Sequence, residues 1–417
     1  MNPIVRPIGN DDYPDSTRGI RSPLPFPQAE LNFCFTINVR AINPLLNETL
    51  TVTALVPRTE ELSDTETSDS QEEILPNAYW MITGDEGIIR DAIYGQVLRG
   101  FVLRPLRNLE IQNEHPAEYV ITTEQCAIKV MERERIDQQQ GIAAENPYDE
   151  IRAMQYVARY LLSRDVMDDG ENDRDVIVRN IRENNILLPF CALIDNQYLY
   201  SIMPLCDDDF FEYLISRGRL NENEARFWMK QILKGIQTLQ EVGICHRDIS
   251  LENLLLHDRS CLIMDFGMCC RIPYSNIPND CSDFIPRGRR GNRLLFRADA
   301  PMGKLRYMAP EIYARQPFDG HAVDLWSVAV MLFMMVTGSD AWEVPSRVNN
   351  IFTDLTSGQM HRHLAGPVFG LTPEILDLLG KMMFFDPTDR LSLEQIIQHE
   401  WMHGEVQGPA ERERWAN

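Results

Sequence analysis

Three short groups of residues in the second half of the chain contain the side chains best suited to chemistry. They are, in chain order, His246-Arg247-Asp248-Ile249-Ser250-Leu251-Glu252-Asn253, Asp265-Phe266-Gly267 and Ala309-Pro310-Glu311. Carboxylate and amide oxygens can hold a hard cation such as Mg²⁺, and a carboxylate can accept a proton from a hydroxyl. Each group alone is a weak signal, because short matches of this kind arise by chance.

The types and order of these groups resemble the catalytic loop, the magnesium-binding loop and the end of the activation segment in the protein kinase family. The resemblance covers roughly residues 80 to 403 and is specific, because about a dozen ordered positions agree. It implies an α+β fold with two lobes: a small, mainly antiparallel β N-lobe with one regulatory helix, and a larger, mainly α-helical C-lobe. ATP is then expected to bind between the lobes.

The same resemblance assigns roles around the catalytic loop. Asp265 and Asn253 are implied to bind Mg²⁺ through hard oxygen atoms, and Asp248 to orient the acceptor hydroxyl and take its proton. Leu255 is implied to contact the nucleotide. Because phosphoryl transfer demands little covalent chemistry of the protein, catalysis would consist of aligning phosphates and hydroxyl and neutralising the developing charge.

A second set of site residues is expected in the N-lobe. Cys126-Ala127-Ile128-Lys129 resembles the strand whose lysine contacts the α and β phosphates, which makes Lys129 that candidate. Its expected counter-ion is Glu150. Glu145 is the alternative and ranks second, because it precedes Pro147 and the predicted helix. Without the downstream groups, a lone lysine in a strand would be interpreted as a solvated edge charge. The remaining nucleotide contacts are assigned to Gly95, Val97 and Ala127.

The glycine-rich loop of the family is degenerate in this chain. Tyr94-Gly95-Gln96-Val97 matches its second half, but Arg90 and Ala92 stand at the first two glycine positions. Side chains there hinder the approach of backbone N–H groups to phosphate, so either nucleotide affinity is reduced, or the loop is rearranged, or Arg90 contacts a phosphate directly. The stretch Gly84-Asp85-Glu86-Gly87 is interpreted as an ordinary turn.

A second departure from the family concerns a catalytic cation. Ser/Thr kinases usually place Lys two residues after the catalytic Asp, where this chain has Ser250, and a small Thr after the glycine matched by Gly303, where it has Lys304. In the family that Thr packs against the catalytic Asp and Lys. We therefore expect an exchange, in which Lys304 reaches the γ-phosphate and Ser250 supplies the hydroxyl. Losing the cation altogether would remove transition-state stabilisation on the order of several kcal/mol.

Supporting residues follow from the same resemblance. Glu311 is expected to pair with Arg390, and Asp324 to hold the catalytic-loop backbone. His246 is expected to anchor the backbone under Phe266 rather than act as a base.

Regulation and substrate preference are suggested by a few charged residues. Arg247 resembles the arginine that pairs with an activation-segment phosphate, but no Ser, Thr or Tyr lies just before Gly303, so Asp299 is expected to take the place of the phosphate. Glu252 and Asp209 stand where kinases that prefer basic residues near the acceptor carry acids, whereas Met334 stands where such kinases often have another acid. Protein substrates with nearby basic residues are therefore expected.

Composition is consistent with this interpretation. The 417 residues contain 40 Lys plus Arg against 62 Asp plus Glu, for a net charge of −22, which disfavours nucleic acid and anionic membrane surfaces as partners. The nine cysteines follow no paired pattern, and the N-terminus shows no secretory signal, so reduced thiols and a cytoplasmic or nuclear location are expected. No membrane span is expected, because the longest apolar run, Val328 to Val336, is too short.

Periodicity divides the chain into regions. Residues 1–77 are expected to form an N-terminal extension, with mobile stretches at 1–30 and 59–73 and a β-hairpin around Asn43-Pro44. A kinase domain is expected at 78–403, with its N-lobe at about 78–203 and its C-lobe at about 204–403, followed by a tail at 404–417. Among the predicted elements are strands over Ala92–Val97 and Ile186–Ile194 and helices over Pro147–Ser163, Arg226–Val242 and Val323–Val336.

Two functions from different classes follow. The favoured one is an ATP- and Mg²⁺-dependent Ser/Thr protein kinase, supported by the joint presence of Lys129, Glu150, Asp248, Asn253 and Asp265. The rival is a pseudokinase, a nucleotide-binding or scaffolding module with little phosphotransfer activity. The degenerate glycine loop and Ser250 favour that rival.

Overall fold

The computed structural model describes residues 13–14, 20–58, 76–106, 118–139, 145–164, 173–283, 289–297, 302–348, 350–364 and 368–409. The chain divides into two units. The helical unit comprises Met1–Gln28, Tyr148–Leu187 and Asp207–Asn417, and the sheet unit comprises Ala29–Pro147 and Leu188–Cys206. The predicted mobile stretch 59–73, most of residues 1–19 and the predicted phosphate substitute Asp299 lie outside the described residues.

The described strands and helices confirm the predicted α+β class, with a mainly antiparallel sheet in one unit and most helices in the other. The strands are β1 (Ile20–Arg21), β2 (Asn32–Asn43), β3 (Glu48–Pro57), β4 (Ala78–Met81), β5 (Ile88–Ala92), β6 (Gly95–Pro105), β7 (Tyr119–Glu132), β8 (Cys191–Ile194), β9 (Tyr198–Pro204), β10 (Asp208–Asp209), β11 (Ile244–Cys245), β12 (Leu254–His257), β13 (Ser260–Ile263), β14 (Cys270–Arg271) and β15 (Leu295–Phe296). The helices are α1 (Arg133–Gln138), α2 (Pro147–Leu162), α3 (Asp173–Asn184), α4 (Phe210–Arg217), α5 (Glu222–Val242), α6 (Pro310–Tyr313), α7 (Gly320–Thr337), α8 (Asn350–Thr356), α9 (His361–Leu364), α10 (Pro373–Met382) and α11 (Leu393–Ile397).

An eight-stranded sheet forms the sheet unit. Its order is β4-β3-β2-β8-β9-β7-β6-β5, and the additional pairings β4–β6 and β2–β7 close a ring through β2, β3, β4, β6 and β7. The pairings are antiparallel except those of β2 with β7 and with β8. Because alternate residues of a strand share a face, the apolar alternation of β2 and β3 places one set of side chains in a buried cluster with β4, β6 and β7. That cluster contains Val39, Ala41, Val52, Ala54, Ala78, Leu103, Tyr119 and Ile121.

The N-terminal hairpin is part of this sheet. Its strands β2 and β3 pair from Cys34 opposite Pro57 to Asn43 opposite Glu48, and the chain turns at residues 44–47, where Asn47 has φ 52°. β2 also pairs with β7 and β8, so the hairpin lies in the same sheet as the strand of Lys129. The domain boundary predicted between residues 77 and 78 remains a prediction.

The side chain of Asp195, in the turn between β8 and β9, links β2 to β9 by hydrogen bonds. Its carboxylate accepts hydrogen bonds from the backbone N–H groups of Gln197 (2.8 Å) and Tyr198 (2.7 Å) and from the hydroxyls of Tyr200 (2.7 Å) and Thr36 (3.2 Å). Burial opposes ionisation of Asp195, but these donors outweigh it and lower its pKa below the ordinary value of an aspartate.

We predict that Asp195→Ala lowers the free energy of unfolding by about 1–3 kcal/mol at pH 7, because two partly buried donors, Tyr198 N and the Tyr200 hydroxyl, and two exposed ones lose their acceptor. A carboxyl whose folded pKa is depressed stabilises the fold above its unfolded pKa, near 3.9, and this contribution is lost as the pH falls through the folded value. Urea unfolding at pH 7 and pH 3 checks both points. The matched control is Asp91→Ala, which removes an exposed hydrogen bond with Gln96 in the same sheet and should cost under about 0.5 kcal/mol. Equal losses in the two variants would contradict the assignment.

Two strand boundaries predicted from the sequence are wrong. The strand predicted over Ala92–Val97 is interrupted, because the chain turns at residues 93–94 between β5 and β6, with Ala92 opposite Gly95. Gly95 begins β6 and lies so close to β7 that a Cβ atom there would be 2.1 Å from the Val130 carbonyl oxygen. The strand predicted over Ile186–Ile194 is confined to Cys191–Ile194. Pro189 explains its late start, since proline has no N–H to donate to a sheet.

The predicted long helices are confirmed by α2, α5 and α7. α5 begins where the Asn221 side chain accepts a hydrogen bond from Glu224 N (3.0 Å), and it ends at Gly243, which has φ 84°. All eighteen residues of α7 are buried. Within the described part of the chain, α7 is the one helix long and apolar enough to cross a membrane, and it lies inside the helical unit as a core helix.

Candidate active site

The loop 246–253 joins β11 to β12 and is fixed from both ends. β11 pairs with β14, and β12 pairs with β13. At the start of the loop, the buried carboxylate of Asp324 on α7 accepts hydrogen bonds from the backbone N–H groups of His246 (2.8 Å) and Arg247 (2.9 Å). Burial raises the pKa of Asp324, and these donors oppose that rise. The prediction that Asp324 holds the loop backbone is therefore confirmed.

Other predicted supports are also present. Glu311 and Arg390 form a bidentate ion pair with distances of 2.7 and 2.8 Å, and both side chains are buried. The His246 ring lies 5.3 Å from the Phe266 ring, and its Nε2 contacts the Met264 carbonyl oxygen at 3.0 Å. His246 is fully buried, which fits an anchor under Phe266 better than a base that meets a substrate.

Asp248 lies at the centre of a hydrogen-bond cluster and is 7% exposed. Its Oδ1 accepts from the backbone N–H of Lys304 (3.0 Å), and its Oδ2 accepts from Asn253 Nδ2 (2.7 Å) and from Lys304 Nζ (2.9 Å). Gly303 makes this approach possible, since it has φ 97° and a Cβ atom there would be 2.4 Å from the Arg247 carbonyl oxygen. The carboxylate is thus held in one orientation by three donors from two segments.

The structure brings the two exchanged residues together. Lys304 Nζ lies 2.9 Å from Asp248 Oδ2 and 3.0 Å from Ser250 Oγ. A cation and a hydroxyl therefore both lie beside Asp248, with the cation carried by the segment after Gly303 and the hydroxyl by the catalytic loop. This arrangement is the one expected from the exchange, although the reach of Lys304 to a γ-phosphate remains a prediction.

Asn253 and Asp265 fit the role of magnesium ligands. Asn253 Nδ2 donates to the carbonyl oxygen (2.9 Å) and Oδ2 (2.7 Å) of Asp248, and no described residue donates to Asn253 Oδ1. Asp265 has φ 64°, and its Oδ1 accepts from Gly267 N at 3.2 Å. Protein sites for Mg²⁺ commonly supply one or two such oxygens and leave the other positions to water and phosphate, so the two-oxygen donor set suits this ion. No cluster of three or more His, Cys, Asp or Glu suited to a metal occurs among the described residues.

The predicted nucleotide contacts of the sheet unit lie on adjacent strands. Lys129 and Ala127 are on β7, and Gly95 and Val97 are on β6, where Val97 pairs directly with Lys129. The close approach of Gly95 to Val130 is enough to require a glycine at this position, so the glycine itself is no evidence of a nucleotide contact. The contact of Gly95 with nucleotide remains a prediction. Leu255 lies on β12 of the helical unit.

The predicted counter-ion, Glu150, lies in the first turn of α2 and is buried. Glu145, the alternative, precedes that helix, and its carbonyl oxygen accepts a hydrogen bond from the Tyr94 hydroxyl (2.7 Å). Sequence reasoning missed α3, a further helix between α2 and β8. The pairing of Lys129 with Glu150 remains a prediction.

Arg271 is a buried residue of the segment after Asp265 that sequence reasoning did not single out. It follows the two cysteines after Asp265-Phe266-Gly267, is 2% exposed, and donates to three backbone carbonyl oxygens, those of Pro25, Cys281 and Asp283. The one available signal was its position six residues after Asp265, in the same segment as Lys304.

Comparison with known families identifies the class of protein. The model of the protein kinase domain family matches residues 169–402, more than half of the chain, and the chain therefore belongs to that family. The matched range contains Asp248, Ser250, Asn253, Asp265 and Lys304, whereas it begins after all predicted site residues of the sheet unit and after Glu150.

Individual relatives are Ser/Thr kinases by name. The chain is 28% identical over 254 residues to the probable serine/threonine-protein kinase MARK-B of Dictyostelium discoideum, which covers 60% of this chain and 32% of that protein. It is 30% identical over 228 residues to the probable serine/threonine-protein kinase HSL1 of Saccharomyces cerevisiae (54% and 13%), and 27% identical over 256 residues to the serine/threonine-protein kinase SRK2I of Arabidopsis thaliana (60% and 64%). The chain thus spans less than two thirds of each of these three relatives.

Proposed function

We propose that this protein is an ATP-dependent protein kinase that transfers the γ-phosphate of ATP to Ser or Thr hydroxyls of protein substrates. The observation that carries the proposal is the Asp248 carboxylate, held by Asn253 and Lys304 in a chain of the protein kinase domain family. The printed names of its relatives support the choice of Ser and Thr as acceptors.

The proposed chemistry gives each group one role. Asp248 orients the acceptor hydroxyl and takes its proton, since the three donors fix the carboxylate. Lys304 supplies positive charge where negative charge develops on the transferred phosphate, and its contact with Ser250 Oγ limits its motion. Asn253 and Asp265 would hold Mg²⁺, which when bound neutralises phosphate charge.

The position of Lys304 also bears on the pseudokinase alternative. That alternative rested partly on Ser250, which leaves the catalytic loop without its usual lysine. An ammonium group 3.0 Å from Ser250 Oγ supplies a cation at the same carboxylate, so the substitution no longer argues for lost activity. The exchange therefore favours the enzyme.

We further propose that the preferred substrates carry basic residues near the acceptor. Glu252 supports this preference, because it is a half-buried acid in the turn 251–253 of the catalytic loop, four residues after Asp248, and a basic side chain of the substrate would offset its negative charge. Asp209 supports it less, since its Oδ1 caps α4 by accepting from Glu212 N (2.9 Å). The net charge of −22 also favours cationic partners.

A transfer assay with γ-labelled ATP and Mg²⁺ on a generic basic protein tests the proposed function. We predict labelled phosphoserine or phosphothreonine, and less label with Asp265→Asn, because this variant loses one proposed magnesium ligand. Raising the Mg²⁺ concentration should partly restore that variant. Thr388→Ala, which changes a hydroxyl of the exposed turn after Asp386, is the control and should match the parent protein. Equal incorporation by the parent and by Asp265→Asn, or label on tyrosine alone, would contradict the proposal.

A further inference from the structure

The segment 20–28, here named the brace, lies against the segment between Asp265 and Glu311 that carries Lys304. Its strand β1 pairs in parallel with β15, with Ile20 opposite Leu295 and Arg21 opposite Phe296. Arg21 Nη1 donates to Asn279 Oδ1 at 2.7 Å. The brace therefore contacts the segment at two places more than fifteen residues apart.

Arg271 links the brace to the rest of the helical unit. Leu24 N donates to the Arg271 carbonyl oxygen (3.0 Å), and the Arg271 guanidinium donates to the carbonyl oxygen of Pro25. The same guanidinium donates to the carbonyl oxygens of Cys281 (3.0 Å) and Asp283 (2.7 Å). A buried guanidinium needs its donors satisfied, so removing the brace would leave this cation short of one acceptor.

Helix α2 completes the brace site. The Arg271 guanidinium lies 4.7 Å from the centre of the Tyr156 ring, and the Phe26 ring packs edge-on against the same ring at 5.8 Å. Leu24 is 4% exposed, so the brace buries apolar surface as well as making hydrogen bonds. Three prolines, at positions 23, 25 and 27, favour an extended conformation and reduce the entropy lost when the brace docks.

Two routes connect the brace to Asp248. β14, which contains Arg271, pairs with β11, and β11 leads directly into the catalytic loop. β15 lies eight residues before Lys304, whose backbone N–H and Nζ both bond to Asp248. Lys304, the proposed catalytic cation, thus belongs to a segment whose position depends on the contacts made by β14 and β15.

A phosphate does not hold the later part of this segment, because residues 283–302 contain no Ser, Thr or Tyr. Kinases commonly order this segment by pairing an arginine with a phosphorylated side chain. We propose that the brace orders β14 and β15 in place of such a phosphate, separately from the expected pairing of Asp299 with Arg247, and that residues 20–28 act as a built-in activator that positions Lys304 on Asp248. Leu24, Phe26 and Arg271 are then positioning residues for phosphate transfer, and the proposal rests on the proposed kinase function.

The test uses the full chain with Leu24→Asp and Phe26→Asp, which place one carboxylate at the buried position 24 and one at the half-buried position 26, where Phe26 packs on Tyr156. We expect kcat to fall about tenfold or more, because the competent arrangement of Lys304 becomes a minor population, while KM for ATP changes little. The matched control, Ser22→Asp with Gln28→Asp, adds the same charge at exposed brace positions and should keep the parent kcat. Addition of a synthetic peptide with the sequence of residues 20–28 should restore kcat of the first variant in a saturable manner, and the peptide with both Asp substitutions should not.

Hydrogen exchange provides a readout that does not depend on catalysis. The Phe296 and Leu294 amides, which donate to Phe318 and Pro273, should exchange faster in the Leu24→Asp, Phe26→Asp variant than in the parent or control. A parent protein without kinase activity would defeat the proposed function, yet the exchange result would still test the brace. Parent-like kcat together with parent-like exchange in the first variant would overturn the proposal, and so would a loss of activity that the peptide does not restore.

Discussion

Replacing Lys304 with Met is expected to lower kcat by about 10²- to 10³-fold, as for the loss of one preorganised group that stabilises transition-state charge. Met keeps much of the length of the side chain but removes the ammonium group that lies 2.9 Å from Asp248 Oδ2 and 3.0 Å from Ser250 Oγ. The backbone N–H of Lys304, which bonds to Asp248 Oδ1, is retained. The loss should therefore appear mainly in kcat, with a smaller change in KM for the protein substrate.

A matched control for this variant lies two residues further along the same segment. Arg306 pairs with Asp340 at 3.2 Å, and both side chains are more than 40% exposed. Exposed ion pairs contribute little, so Arg306→Met should keep kcat within about threefold of the parent. Steady-state kinetics of both variants on one basic peptide makes the comparison. A Lys304→Met enzyme as active as Arg306→Met would refute a catalytic role for this lysine.

The second large effect concerns stability. Glu311→Gln is expected to lower the free energy of unfolding by about 3–5 kcal/mol, because it leaves the guanidinium of Arg390 buried without its counter-charge. Arg390 is 2% exposed, bonds to both carboxylate oxygens of Glu311 and lies 4.5 Å from the centre of the Trp326 ring. Urea unfolding at pH 7 measures the loss.

The control for Glu311→Gln is an exposed ion pair of the same unit. Lys381 Nζ lies 2.6 Å from Asp377 Oδ2 on the surface of α10, one helical turn away. Lys381→Gln should change stability by no more than about 0.5 kcal/mol. Losses of similar size in Glu311→Gln and Lys381→Gln would contradict the prediction that the buried ion pair contributes more to the free energy of unfolding than an exposed one.

The catalytic cluster was largely predictable, because its residues lie in short motifs whose spacing fixes their geometry. Asp248 and Asn253 are five residues apart in one loop, and the backbone contacts of Asp324 with that loop were expected from the motif around it. The proximity of Lys304 and Ser250 was predicted from two departures at separate motif positions. Compensating substitutions of this kind can be predicted from a sequence when the family resemblance indicates which residues lie beside each substituted position.

The N-terminal contacts were not predictable, because they depend on pairing between distant segments. The alternation in β2 and β3 predicted a hairpin, but the parallel pairing of β2 with β7 and β8 joins residues about eighty to a hundred and sixty apart, for which a local pattern has no signal. The brace is a proline-rich stretch that resembles a linker. Arg271 binds it through the carbonyl oxygen of Pro25, and because every residue has such an oxygen, no residue type in the sequence indicates this contact. The sequence therefore indicated the site residues but not the segment that holds them.

The reciprocal exchange of Ser250 and Lys304 is the most direct test of the central claim, that Lys304 supplies the catalytic cation in place of a lysine in the catalytic loop. The measurement is kcat for Lys304→Thr alone and for Ser250→Lys with Lys304→Thr, which returns the lysine to the catalytic loop. We predict that the single variant loses about 10²- to 10³-fold in kcat and that the double variant recovers at least tenfold of this loss. A single variant with the parent kcat, or a double variant no more active than the single one, would contradict the claim.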